Sequence, residues 1–233
     1  MPAIDLKKEQ KASLERERLK YSPIAKFFFF GMDMLTGKKT TVAKAKLIET
    51  LASIPYRAWE NRAYIILTQS YKHSKIVKSS MNLVDWGRDA QDNEYWHLLV
   101  LDEKMKEDGA KDNWYLNPVM VYLIVLTYVI LTKTVAAISL KAAFLFNAQF
   151  EDHAEHVYAQ FMDDNPGLDD QKTDSPVVAQ YAATYPEDPG LKTWGDVVRR
   201  IGLDERDHMN HSFVFAGQPE NVVKYDGMPE NYE

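Results

Sequence analysis

Four long stretches of the chain space their apolar residues three and four positions apart, the pattern of a helix with one buried face. Two shorter stretches are apolar nearly all round. Residues 1–20, MPAIDLKKEQKASLERERLK, are polar and read as an N-terminal arm or an exposed helix. The next segment, YSPIAKFFFFGMDML at 21–35, is short and strongly apolar. A helix is predicted from near Thr41 through AKAKLIETLASIPYRAWENRAYIILTQSY, with a bend at Pro55. Another covers roughly Val84 to Lys106. The most apolar run is NPVMVYLIVLTYVILTKTVAAISL, 117–140, with Asn117 as N-cap and Pro118 in the first helical position. No Gly or Pro occurs from Val119 to Phe161, so a helix containing Glu151 is expected to start near Lys133, leaving 117–132 as the apolar helix. Residues 163–191, rich in Pro, Asp and Gly, read as a long loop. TWGDVVRRIGLDERDHMNHSF, 193–213, reads as the last helix, and 217–233 as a polar tail. With no internal repeat and no series of hairpin turns, the expectation is one all-α domain over 1–233: four core helices and two apolar ones.

Composition narrows the chemistry. The chain has 233 residues, 45% hydrophobic, and a net charge of −6, enough for a real core and unlike a nucleic-acid binder; no basic stripe interleaved with aromatics is present. The N-terminus mixes acids with bases and lacks an apolar core, so no targeting segment is read there. Cysteine is absent, which excludes disulfides, thiolate catalysis and cysteine-ligated metals. Any metal must be held by Glu, Asp and His.

Positions i and i+3 share a helix face. Two Glu-x-x-His pairs occur, Glu94/His97 in NEYWH and Glu205/His208 in DERDH, where composition predicts less than one by chance. Two further helices carry single carboxylates able to face inward, Glu49 in LIET and Glu151 in FEDHAEHVY. Glu49 lies on an apolar stretch, a costly place for a charge with no cation opposite. One Glu from each of two helices and Glu-x-x-His from each of two others is the ligand set of ferritin-like di-iron carboxylate bundles; it suits a pair of Fe or Mn ions. A lone Glu-x-x-His is more often a surface pair; the ordered set of four on four helices is the stronger signal. His153, His156 and His211 read as surface groups or neighbours of the site, Asp152 and Glu155 as facing water or its rim. Tyr158, two turns after Glu151, is by default a packed core tyrosine.

The run Pro118–Leu140 carries one charge, Lys133, and is long enough to cross a bilayer. Glu49 and Glu94 precede it while Glu151 and Glu205 follow it, so a single crossing would divide the ligand set between two sides of the membrane. With 21–35 too short to return the chain, both apolar segments are expected to lie in one leaflet as monotopic membrane-interface helices.

The sequence resembles the alternative oxidases, and among them the plastid terminal oxidases. LIETLASIPY (47–56), NEYWHLL (93–99), FEDHAEHVY (150–158) and LDERDH (203–208) are similar to four elements of that family, in its order, and NWYLNP (113–118) falls where it has an aromatic segment before its membrane helix. The resemblance implies a ferritin-like four-helix bundle with two non-haem Fe ions held by Glu49, Glu94, His97, Glu151, Glu205 and His208. It implies that Tyr158 lies close to the iron pair and matters for catalysis, that Asn93 and Asp204 orient ligands by hydrogen bonds, and that Lys44, Ile48 and Ala154 line the quinol pocket. Lys44 stands where the family usually has Arg, which changes how a quinol oxygen would be held. The implied activity is quinol:oxygen oxidoreduction without proton pumping, O2 going to water, with plastoquinol favoured over ubiquinol. The implied place is a thylakoid or cyanobacterial membrane, with lipid contact. A homodimer is the family expectation, which the chain itself neither supports nor excludes. Two rivals share parts of the pattern: a di-iron hydroxylase or desaturase acting on a lipid-like substrate, and a metal-free helical membrane-surface protein.

Overall fold

A computed structural model describes residues 4–185 and 190–228. Among the described residues the chain is all-helical, with one isolated bridge between Lys172 and Thr193 and no strand. Eight α-helices follow in order: α1 Leu6–Glu15, α2 Pro23–Thr36, α3 Val42–Gln69, α4 Ser74–Glu107, α5 Pro118–Ile138, α6 Leu140–Asp164, α7 Pro176–Ala182 and α8 Trp194–Phe215. The expected all-α class and the expected long helices are present.

The termini of these helices follow from local chemistry. Ser22, Asn117 and Ser175 cap α2, α5 and α7 with their side chains, each followed by Pro in the first turn. Thr193 and Asp196 form a reciprocal capping box at α8. Gly109, with φ of +61°, closes α4: its N–H and that of Ala110 donate back to Lys106 and Met105.

Several boundaries differ from the sequence reading. Helix α3 runs through Pro55 as one element, and α4 begins at Ser74, ten residues before Val84. The helix holding Glu151 starts at Leu140, not near Lys133, so the apolar helix extends to Ile138. The break falls on Ser139, which has extended backbone (φ −156°, ψ 111°). Its N–H donates to Val135 O while its Oγ accepts from Ala142 N at 3.2 Å, so this one serine ends α5 and caps α6. The stretch 163–191 contains a 3-10 turn, Pro166–Asp169, and α7, so it is not one long loop; residues 186–189, and 229–233 of the expected tail, lie outside the described residues. The N-terminal arm is a helix that buries Leu6, Glu9 and Ser13.

The chain divides into two compact units. The central unit, Val42–Phe144, contains α3, α4, α5 and the start of α6. Its core includes an aromatic cluster on α3 and α4: Trp59 and Trp86 stack at 5.5 Å, Tyr56 meets both edge-on, and Phe144 sits 4.8 Å from Trp59. Helix α5 packs against α3, yet leaves Val119, Tyr122, Leu123, Leu126 and Ile130 exposed.

The terminal unit takes the residues up to Thr41 and those from Leu145 onward. Here α1 packs on α8. On α2, Phe28 and Phe29 meet Phe146 and Phe150 of α6, while Ile24, Phe27, Phe30 and Met34 form an exposed stripe, each more than 60% accessible. Helices α6 and α8 approach closely at Gly202, where a Cβ would stand 3.2 Å from that of Tyr158.

Candidate metal centre

The central unit brings together Glu49 of α3 with Glu94 and His97 of α4. All three are buried. Each offers a ligand atom within 4.8 Å of those of the others. His97 Nδ1 lies 3.3 Å from Glu49 Oε2 and 3.4 Å from Glu94 Oε2. The three-residue spacing is what puts Glu94 and His97 on one face of α4, toward α3.

The terminal unit repeats the arrangement with Glu151 of α6 and Glu205 and His208 of α8. These too are buried, with ligand atoms within 4.8 Å of one another. His208 Nδ1 is 3.9 Å from Glu205 Oε2. Asn147, one turn before Glu151, donates from Nδ2 to Glu151 Oε1 at 2.8 Å and to Ser212 Oγ at 3.1 Å. It therefore fixes that carboxylate against α8. Sequence reading missed Asn147, although its place one turn before Glu151 was a signal that could have found it.

Other expected residues fall as follows. Tyr158 is buried on α6, two turns beyond Glu151. Asp204 is buried and accepts from Tyr181 Oη at 2.6 Å, from Tyr185 Oη, and from Arg200 Nη2 at 2.6 Å. It thereby ties α7 to α8 beside Glu205. Burial, followed by the Asp204 carboxylate, holds the Tyr181 phenol protonated well above its ordinary range. Asn93 is half-buried on α4, Lys44 is buried and Ile48 half-buried on α3, and Ala154 is buried on α6.

Asp152 and Glu155 do not face water: both are buried. Arg16 donates to Asp152 Oδ1 and Glu155 Oε2, each at 2.6 Å, and Arg206 donates to Glu155 Oε1 at 2.8 Å. Paired and hydrogen-bonded in this way, carboxylates can be buried. His156 is buried as well, with Nδ1 2.7 Å from Asp152 O and Nε2 2.9 Å from Arg16 O. His153 stacks on Phe29 at 4.0 Å. His211 is half-buried, and burial pushes its imidazole down to about 4.

Each triad places two buried carboxylates and an imidazole within a few ångströms. Such a cluster gathers negative charge away from water and is the donor set of a hard or borderline divalent ion. The residues present therefore fit iron. A family model described as Alternative oxidase matches residues 6–217. The chain belongs to the alternative oxidase family. Members are membrane-associated quinol oxidases with a non-haem di-iron site, using quinol and O2 as substrates. The protein is thus an enzyme of that class, and the family favours oxidation of a quinol over hydroxylation of a lipid. No match was found among the curated proteins.

Proposed function

We propose that this alternative oxidase is of the plastid terminal type, a single-domain enzyme that oxidises plastoquinol in preference to ubiquinol, with Glu49, Glu94, His97, Glu151, Glu205 and His208 as the ligands of its iron pair. The observation that carries the reading is the duplicated buried triad, Glu49/Glu94/His97 and Glu151/Glu205/His208, in a chain of this family. When bound, the iron pair supplies the electron transfer between quinol and O2. The chain's own residues do the rest. The glutamates and histidines hold the metal, and Asn147 keeps the Glu151 carboxylate turned toward α8. Tyr158 is the catalytic tyrosine, able to give a proton from its phenol during O–O bond cleavage. Lys44, Ile48 and Ala154 line the quinol pocket, with Lys44 offering a point charge to a quinol oxygen where a guanidinium would offer a fork. Asn93 and Asp204 orient the ligands by hydrogen bonds.

The exposed apolar faces support a monotopic place in one leaflet. Pro118–Ile138 is the helix among the described residues long and apolar enough to cross a membrane, and little of its apolar window is buried; α2 adds its own exposed stripe. An enzyme lying in one leaflet has no route for pumping protons, so it would act as a valve for excess quinol in a thylakoid or cyanobacterial membrane.

The test is oxygen consumption by membranes containing the protein, with plastoquinol and ubiquinol analogues supplied in turn, alongside elemental analysis. Expected are faster uptake with plastoquinol, water as the product, and a pair of irons per chain. Faster uptake with ubiquinol overturns the plastid-type assignment, and a chain purified from active membranes without iron overturns the centre.

A further inference from the structure

We infer that Arg206 is a positioning residue, which through its links to α6 and α1 sets how Glu205 and Glu151 present their carboxylates; the inference rests on the metal-binding reading of the terminal triad. Arg206 follows Glu205 directly on α8 and is buried, 2% accessible. Its guanidinium is held on three sides. Nε donates to Glu155 Oε1 at 2.8 Å, Nη1 to Glu9 Oε2 at 2.5 Å, and Nη2 to Glu9 O at 3.1 Å and Ser13 Oγ at 2.9 Å. Ser13 in turn donates to the same Glu155 oxygen at 2.6 Å.

Glu155 lies one turn beyond Glu151 on α6, and its second oxygen is held by Arg16, whose other nitrogen holds Asp152. The bridge therefore runs Arg206–Glu155–Arg16–Asp152. One end adjoins Glu205 and the other adjoins Glu151. Glu9, Ser13, Glu155, Tyr158, Gly202 and Arg206 also border a cavity of about 10 Å³, the size of one water. Apolar packing could dock α1 at least as stably as buried ion pairs do. What a planar fork adds is direction: its bonds survive at one rotation of α8 about its axis. That rotation is also the one that aims Glu205 at Glu151.

The experiment is anaerobic titration of the metal-stripped full-length protein with Fe(II), read by affinity and by the near-infrared circular dichroism of the loaded site. Arg206→Gln should weaken Fe(II) binding by about tenfold or more and change the spectrum, while Arg206→Lys, which keeps charge without the fork, should fall between it and the wild type. Leu168→Ala, a core truncation on the 3-10 turn after α6, supplies loss of melting temperature without touching the bridge and should keep affinity and spectrum. Unchanged affinity in Arg206→Gln, or an equal loss in Leu168→Ala at matched melting temperature, would overturn the inference. Should Arg206→Gln fail to fold, Ser13→Ala is read the same way: weaker binding with an altered spectrum supports the bridge, and wild-type behaviour overturns it. A wild-type protein that takes up no iron would instead sink the metal reading itself.

Discussion

The central triad and the terminal triad use the same donors and are supported differently. Along α3 and α4, the neighbours two to three turns from Glu49 and Glu94 are rings: Tyr56, Trp59 and Trp86, packed edge-on and stacked. Along α6 and α8 the neighbours are charges, with Asp152, Glu155 and Arg206 locked to Glu9 of α1 and to Arg16, which caps its C-terminus. An aromatic support is dense and indifferent to protonation, and its edge-on and stacked pairs hold the helices by shape. An ionic support is directional and exacting, and it fails when one partner goes. The same six-residue chemistry thus rests on packing in one unit and on hydrogen-bond geometry in the other.

The largest effects come from the donors. Glu94→Ala and Glu151→Ala should each abolish iron binding and quinol-dependent oxygen uptake, measured by elemental analysis and an oxygen electrode. Oxygen uptake retained in Glu151→Ala would falsify the assignment of that triad. A single iron retained in Glu151→Ala but not in Glu94→Ala would show that the ring-supported triad can load alone, which turns the comparison into a difference of affinity.

A smaller effect separates two tyrosines that the sequence places alike, Tyr56 seven residues after Glu49 and Tyr158 seven after Glu151. Both are buried, yet Tyr56 belongs to the ring cluster while Tyr158 faces the Gly202 approach between α6 and α8. Tyr158→Phe should keep the iron and lose most turnover, a fall of about a hundredfold in kcat if its proton transfer is catalytic. Tyr56→Phe should keep both. Equal behaviour of the two variants would remove Tyr158 from the chemistry.

Much of this was legible because helix periodicity is local. Glu-x-x-His declares a shared face wherever the helix goes, and Asn117-Pro118 declares a helix start from its own two side chains. What escaped depends on distant partners. Asp152 and Glu155 read as facing water or the rim of the site, since no lysine or arginine lies near them in sequence; Arg16 and Arg206 reach them only in the fold. Glu9 and Ser13 made 1–20 look like an exposed arm for the same reason. The break at Ser139 escaped for another reason. A serine there is compatible with a continuous helix, and only the capping bond to Ala142 shows that it ends one and begins the next.

The smallest expected effect probes the ionic side by acid. Asp169, at the end of the 3-10 turn after α6, receives two bonds from the Arg199 fork, at 2.5 and 3.0 Å, and one ion pair from Lys7 at 3.0 Å. The site leaves no slack: a Cβ on Gly195 would collide with Asp169. Arg199's hydrogen bonds foremost, against the opposing pull of burial and with help from Lys7, hold the Asp169 carboxyl below the usual carboxylate range. A carboxylate whose folded pKa is depressed binds its proton more readily when unfolded. Its contribution is therefore complete above the unfolded value of about 3.9 and is lost as pH falls through the lower folded value. The carboxylate is partly exposed, so the contribution is about 1 kcal/mol or less. Urea midpoints followed by far-ultraviolet circular dichroism from pH 7 to pH 3 should fall more steeply for the wild type than for Asp169→Asn below about pH 4. The two curves should draw together at the acid end. A gap that stays constant with pH would mean that Asp169 acts by shape alone, and that acid does not reach the ionic frame of the terminal unit through this pair.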